Sequence, residues 1–110
     1  MKKNRTYSKY SAEAAILLGS QIKLGRKQLN WSETELAGRA GISRATLQKI
    51  EKGDMTCAIG LFFEAASLVR VPLFETEVAS IETHINRVND KIALLPKPTQ
   101  KPNTPVDDDF

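Results

Sequence analysis

Arg44, Ala45, Gln48 and Lys49 stand at i, i+1, i+4 and i+5, which on a helix places them in a single stripe. Each of the four types matches a group on the edge of a base pair. An Arg fork bonds O6 and N7 of guanine, a Gln amide pairs with adenine, an Ala methyl touches the thymine methyl, and Lys suits guanine or phosphate. Ser43 and Thr46, in the same turn, are phosphate-type contacts, helped by the free N–H groups at a helix start. No acid occurs over residues 43–49, so nothing within the stripe opposes a polyanion. Leu47 and Ile50 fall on the other side and point into a core. Such a stripe has the chemistry to read the major groove of duplex DNA from the N-terminal end of a helix.

The flanking sequence supplies the elements that would hold this stripe. Residues 31–53 read WSETELAGRAGISRATLQKIEKG. Ser32 and Glu35 have capping-box spacing, which predicts a helix start at Ser32. Leu36, Ala37 and Ala40 give that helix an apolar face. Gly41 offers the positive φ that ends a helix in a sharp turn. Ile42 packs under the turn, and Ser43 caps a second helix running to about Lys52, with Gly53 as its stop. Two short helices joined by a Gly turn of this length form a helix-turn-helix.

Around this unit the chain reads as all-α. Residues 1–10 form a loose basic arm with Lys2, Lys3, Arg5 and Lys9. Ser11 and residues 12–29 predict a first helix, with Ala14, Ile16, Leu17, Leu18, Ile22 and Leu29 at helical spacing and Gly25 allowing a close approach on the same face. Asn30 ends it. Residues 54–57 form a loop. Residues 58–69 form a fourth helix with Leu61, Phe62, Ala65, Ala66 and Val69 inward, and Pro72 stops its continuation. Residues 11–73 thus make one domain.

Residues 75–95 predict a long helix of another kind. Phe74, Val78, Ile81, Ile85, Val88, Ile92 and Leu95 are spaced 4, 3, 4, 3, 4, 3, an a/d seam. The four preceding helices hold enough apolar residues to close a core, so Val78, Ile81, Ile85, Val88 and Ile92 are assigned to dimerisation. β-branched residues at both seam positions leave the oligomer number open. From Pro96 four prolines forbid a helix, and residues 96–110 form an extended or disordered tail that ends Val106, Asp107, Asp108, Asp109, Phe110.

Length and charge agree with this division. At 110 residues the chain holds one small domain with appendages. Its net charge of +3 conceals a split: residues 1–53 carry 11 Lys+Arg against 4 Asp+Glu, and residues 54–110 carry 5 against 9. A basic first half suits a polyanion, and an acidic second half suits something else. Cys57 is the only cysteine, so no internal disulfide forms and a reducing cytoplasm is expected. The apolar run near residue 16 is too short for a signal peptide, and no segment reaches the ~20 apolar residues a membrane span needs. His84, the only histidine, has no second His or Cys nearby, and no Gly-rich phosphate loop occurs. No catalytic residue, metal site or cofactor is expected.

Residues 18–72 resemble the Cro/repressor-type (XRE) helix-turn-helix domain, a five-helix DNA-binding fold. The matching residues are Arg26, Trp31, Ser32, Glu35, Leu36, Ala37, Gly41, Ile42, Ser43, Leu47, Ile50, Glu51 and Gly53. The resemblance implies an ion pair between Arg26 and Glu51 behind the recognition helix, as a structural clamp. It also exposes one departure. Where the family usually has a Gln that bonds a phosphate, this chain has Glu33. Either Glu33 turns away and Ser32 and Thr34 take over the phosphate, or DNA binding is weakened there.

The downstream half is similar to the HipB-type antitoxin branch, through residues 53–55, 59–60, 63–69, 71–74, 94–97 and 106–110. That resemblance implies a dimeric, nucleoid-associated repressor of its own operon that binds a HipA-like Ser/Thr kinase toxin, with or without a further small protein. It makes Asp107, Asp108, Asp109 and Phe110 a partner-binding tail, with Phe110 in an apolar pocket and the acids meeting basic residues. Two alternatives stay open: a stand-alone phage- or plasmid-type repressor, and a kinase-binding module with weak DNA affinity.

Overall fold

The computed structural model describes residues 5–74 and 80–98. The chain divides into two compact units, Met1–Val78 and Ala79–Phe110. In the first unit, α1 spans Lys9–Gln28, α2 Glu33–Ala40, α3 Arg44–Glu51 and α4 Ile59–Leu68; α5, Ile81–Leu94, belongs to the second. The protein is all-α.

Local sequence explains most helix ends. Ser8 caps α1, its Oγ accepting the Ser11 N–H at 3.2 Å. The helix therefore starts at Lys9 rather than beside Ser11, which sits inside the first turn as the donor. Beyond the α1 cap Leu29, Asn30 takes φ 60. Ser32 caps α2 by accepting the Glu35 N–H at 3.0 Å. Only this half of the capping box forms, because the Glu35 carboxylate turns along the helix to Arg39 at 2.6 Å. Gly41, at φ 71, lets the Ile42 N–H reach back to the Ala37 carbonyl at 3.0 Å and closes α2. Ser43 caps α3 through the Thr46 N–H at 3.0 Å, and Lys52 ends it.

The four helices of the first unit enclose a core of Ile22, Leu36, Ala37, Leu47, Ile50, Phe62, Ala65, Ala66 and Val69, with Leu18, Leu29, Trp31, Ile42 and Leu61 packed against it. Ile16 and Leu17 were expected on the inner face but are 52% and 59% exposed. The reason lies in how α1 crosses α3. Its inward line runs through Gly19, Ile22 and Arg26, and a Cβ at Gly19 would meet the Ile50 carbonyl and lie 2.8 Å from the Glu51 oxygen. Gly25 allows the approach of Val69, whose carbonyl oxygen lies 2.8 Å from where a Cβ would stand.

In the second unit Ser80 precedes α5, which has no buried residue. Ile85, Val88 and Ile92 are between 52% and 60% exposed, and Leu95 beyond the helix end 68%. Ile81 is half-buried, and His84 is exposed on the same helix. The expected start of this helix and Val78 fall on residues 75–79, outside the described residues. The tail residues Asp107, Asp108, Asp109 and Phe110 also lie outside them. Among the described residues, no helix is long and apolar enough to cross a membrane.

Candidate nucleic-acid interface

The position of α3 is fixed from behind by charge. Arg26, in the last turn of α1, donates from Nε to Glu51 Oε2 at 2.7 Å and from an Nη group to Oε1 at 3.1 Å. Its other Nη group bonds the Trp31 carbonyl at 3.0 Å, and the Trp31 N–H returns to the Arg26 carbonyl at 3.1 Å. One guanidinium thus joins the end of α1, the approach to α2 and the end of α3. Both side chains are nearly out of solvent, and the hydrogen bond to Glu51 raises the Arg26 pKa further against the cost of burial. Arg39 adds a lighter tie by lying 4.3 Å over the Trp31 ring.

With Leu47, Ile50 and Glu51 turned inward, α3 presents Arg44, Ala45 and Lys49 to solvent, while Thr46 and Gln48 are half-buried. Ser43 is exposed at the same end, and its hydroxyl also donates to Thr46 Oγ1 at 2.9 Å. Ser32 and Thr34 are exposed at the start of α2. The residues assigned to groove and phosphate therefore cluster around two neighbouring helix N-termini, where unpaired backbone N–H groups favour anions.

Residues 22–75 match the family model described as Helix-turn-helix. They form a Cro/C1-type helix-turn-helix domain of the XRE family. A domain of this family is a sequence-specific DNA-binding regulatory module. No curated protein and no solved structure matches the chain.

Inside the helix-turn-helix domain the first of the two alternatives for Glu33 does not hold. Glu33, the first residue of α2, does not turn away from the interface. Its Oε1 accepts Arg44 Nε at 2.9 Å and Gln48 Nε2 at 3.0 Å. The Gln48 amide and the Arg44 guanidinium hold its carboxyl below the usual carboxylate range. Two of the four residues assigned to the groove are thus engaged by an acid from the preceding helix. The stripe itself contains no acid, and the one that pairs with it comes from outside residues 43–49. The available signal was a carboxylate at the first position of α2, the helix joined to α3 by the Gly41 turn.

Two further polar residues stand in the loop after α3. Asp54 accepts the Thr56 hydroxyl and N–H at 2.7 and 2.9 Å, which closes the loop after α3 and lowers its pKa. Cys57 is half-buried beside it, and burial pushes its thiol up, away from the reactive thiolate.

Proposed function

We propose that the chain is an operator-binding transcriptional repressor, working as a homodimer and as the HipB-type antitoxin of a HipA-like Ser/Thr kinase. The observation that carries the DNA reading is the outer stripe of α3. Arg44, Ala45, Gln48 and Lys49 face the groove, and Ser32, Thr34, Ser43 and Thr46 flank it at the phosphates. The basic first half of the chain supports this placement. A mobility shift against the DNA upstream of its own gene tests it. Arg44→Ala should cost ~1–3 kcal/mol on the preferred site and relax the preference at one base. Equal loss on random duplex would make Arg44 a phosphate contact.

Dimerisation is assigned to α5, whose apolar stripe has coiled-coil spacing and, among the described residues, leaves Ile85, Val88 and Ile92 more than half exposed. A two-fold dimer would read half-sites separated by whole turns of the duplex. The kinase partnership rests on the resemblance of the downstream segments and on the acidic excess there. Recovery of the native complex, with its components identified by mass, tests it directly. Deleting residues 104–110 should weaken kinase binding and leave DNA affinity within about twofold, since the tail is remote in sequence from the basic half. A repressor recovered alone would be the stand-alone type. Kinase binding without a specific DNA complex at about 0.1 M salt would favour the interaction module.

A further inference from the structure

Glu33 lies where a DNA-binding surface should avoid negative charge, yet it is bonded to two groove-facing residues at once. The carboxylate takes Arg44 only through Nε. Among the described residues nothing takes either Nη of Arg44, and those two groups are the fork that bonds guanine O6 and N7. The side chain of Arg44 is 64% exposed while that of Glu33 is 27% exposed. The root of the guanidinium is therefore held and its tip is left free.

At Gln48 the same carboxylate settles a different question. An ionised carboxylate only accepts, so the Gln48 atom facing it has to be the amide nitrogen. That orients the amide, leaving Oε1 and the second N–H for an outside partner. An acceptor beside a donor is the pattern that pairs with adenine N6 and N7. A neutral amide at position 33 could accept or donate, and Gln48 would then present either face.

We propose that Glu33 is a positioning residue for base recognition, bracing Arg44 to read a guanine and fixing the Gln48 amide to read an adenine. The inference rests on the DNA-binding reading of α3. Bracing removes rotamers that Arg44 would otherwise lose on binding, so it sharpens discrimination. Its cost is repulsion between Glu33 and the nearest phosphate, so it lowers affinity for every duplex alike. Discrimination and affinity are thereby set against each other at a single side chain.

The test uses the full chain and a randomised duplex library to find the preferred site of the wild type. Affinities for that site, for its single-base variants and for a non-specific duplex are then measured with wild type, Glu33→Gln, Arg44→Ala and the double variant. Glu33→Gln should bind the non-specific duplex more tightly and lose about tenfold of the discrimination at the Arg44 and Gln48 bases. In the Arg44→Ala background the same change should cost nothing further at the Arg44 base, because there is no guanidinium to brace. Tighter binding to all duplexes with discrimination intact would overturn the bracing role while leaving the DNA reading in place. A wild type with no preferred duplex would overturn both.

Discussion

The Arg26 guanidinium closes on both carboxylate oxygens of Glu51, at 2.7 and 3.1 Å, across 25 positions of sequence. The two side chains are only 6% and 5% exposed. A buried pair of this kind is a poor source of net stability, but it is costly to break from one side. Its value is geometric: it fixes the C-terminal end of α3 relative to α1, and with it the angle at which the N-terminal end projects.

Arg26→Met alone should lose ~3–5 kcal/mol, because Glu51 is left buried and charged. Combined with Glu51→Leu, most of that loss should disappear, and the double variant should lie within a few kcal/mol of wild type or above it. Denaturant melts of the three proteins check this. Equal instability of the single and double variants would mean that the pair contributes net energy rather than alignment.

Gly19→Ala should also destabilise the domain, by ~1–3 kcal/mol, through overpacking. The added methyl meets the carbonyls of Ile50 and Glu51, which are backbone atoms of α3 and its end. A domain of this size should melt ~4–8 °C lower for each kcal/mol lost. The control is Gly38→Ala, where a Cβ meets nothing within 4 Å.

The Glu33 contacts should be insensitive to pH across the neutral range. The folded carboxyl titrates below its ordinary value of 4.5, because Gln48 and Arg44 favour the charged form. Arg26 adds to this from α1, while Lys23, Glu51 and Lys52 line the cleft beside it. A lowered folded pKa means the contribution is complete above the unfolded value and fades as pH falls through the folded one. The Arg44 Nε–H resonance should stay at its bonded position down to about pH 4.5 and move only below it. Movement between pH 7 and 5 would mean the contact is absent in solution.

The apolar stripe of α5 should mediate self-association. Replacing both Ile85 and Ile92 with Asp would bury charge in the pairing face and should weaken the dimer by at least about tenfold. Sedimentation of wild type and variant checks it. The helix-turn-helix core should melt unchanged, since neither residue contributes to it.

The helix-turn-helix was readable in the sequence because its ends are set by local chemistry. Ser32, Gly41 and Ser43 act within three or four residues of themselves, and all three occupy the positions their types implied. Ser8 and Ser11 show the limit of such reasoning. Either could cap α1, and the choice fell to Ser8, with Ser11 as donor. The pairing of Glu33 was signalled only by a carboxylate at the start of α2, because its partners lie 11 and 15 residues downstream and meet it only once α2 and α3 have docked. The same holds for Gly19, whose role depends on where α1 crosses α3, and for Ile16 and Leu17, which follow an apolar period yet fall outside the crossing.

The helices α2 and α3 have eight residues each, well short of the roughly 12–15 an isolated helix needs in water. Neither is expected to persist apart from the core that Ile22, Leu36, Leu47 and Ile50 share. A chain built this way has no half-competent form, because the reading surface and the fold appear and vanish together. Occupancy of a DNA site would then track the folded fraction of the protein, and a cell could silence the regulator simply by unfolding or degrading it.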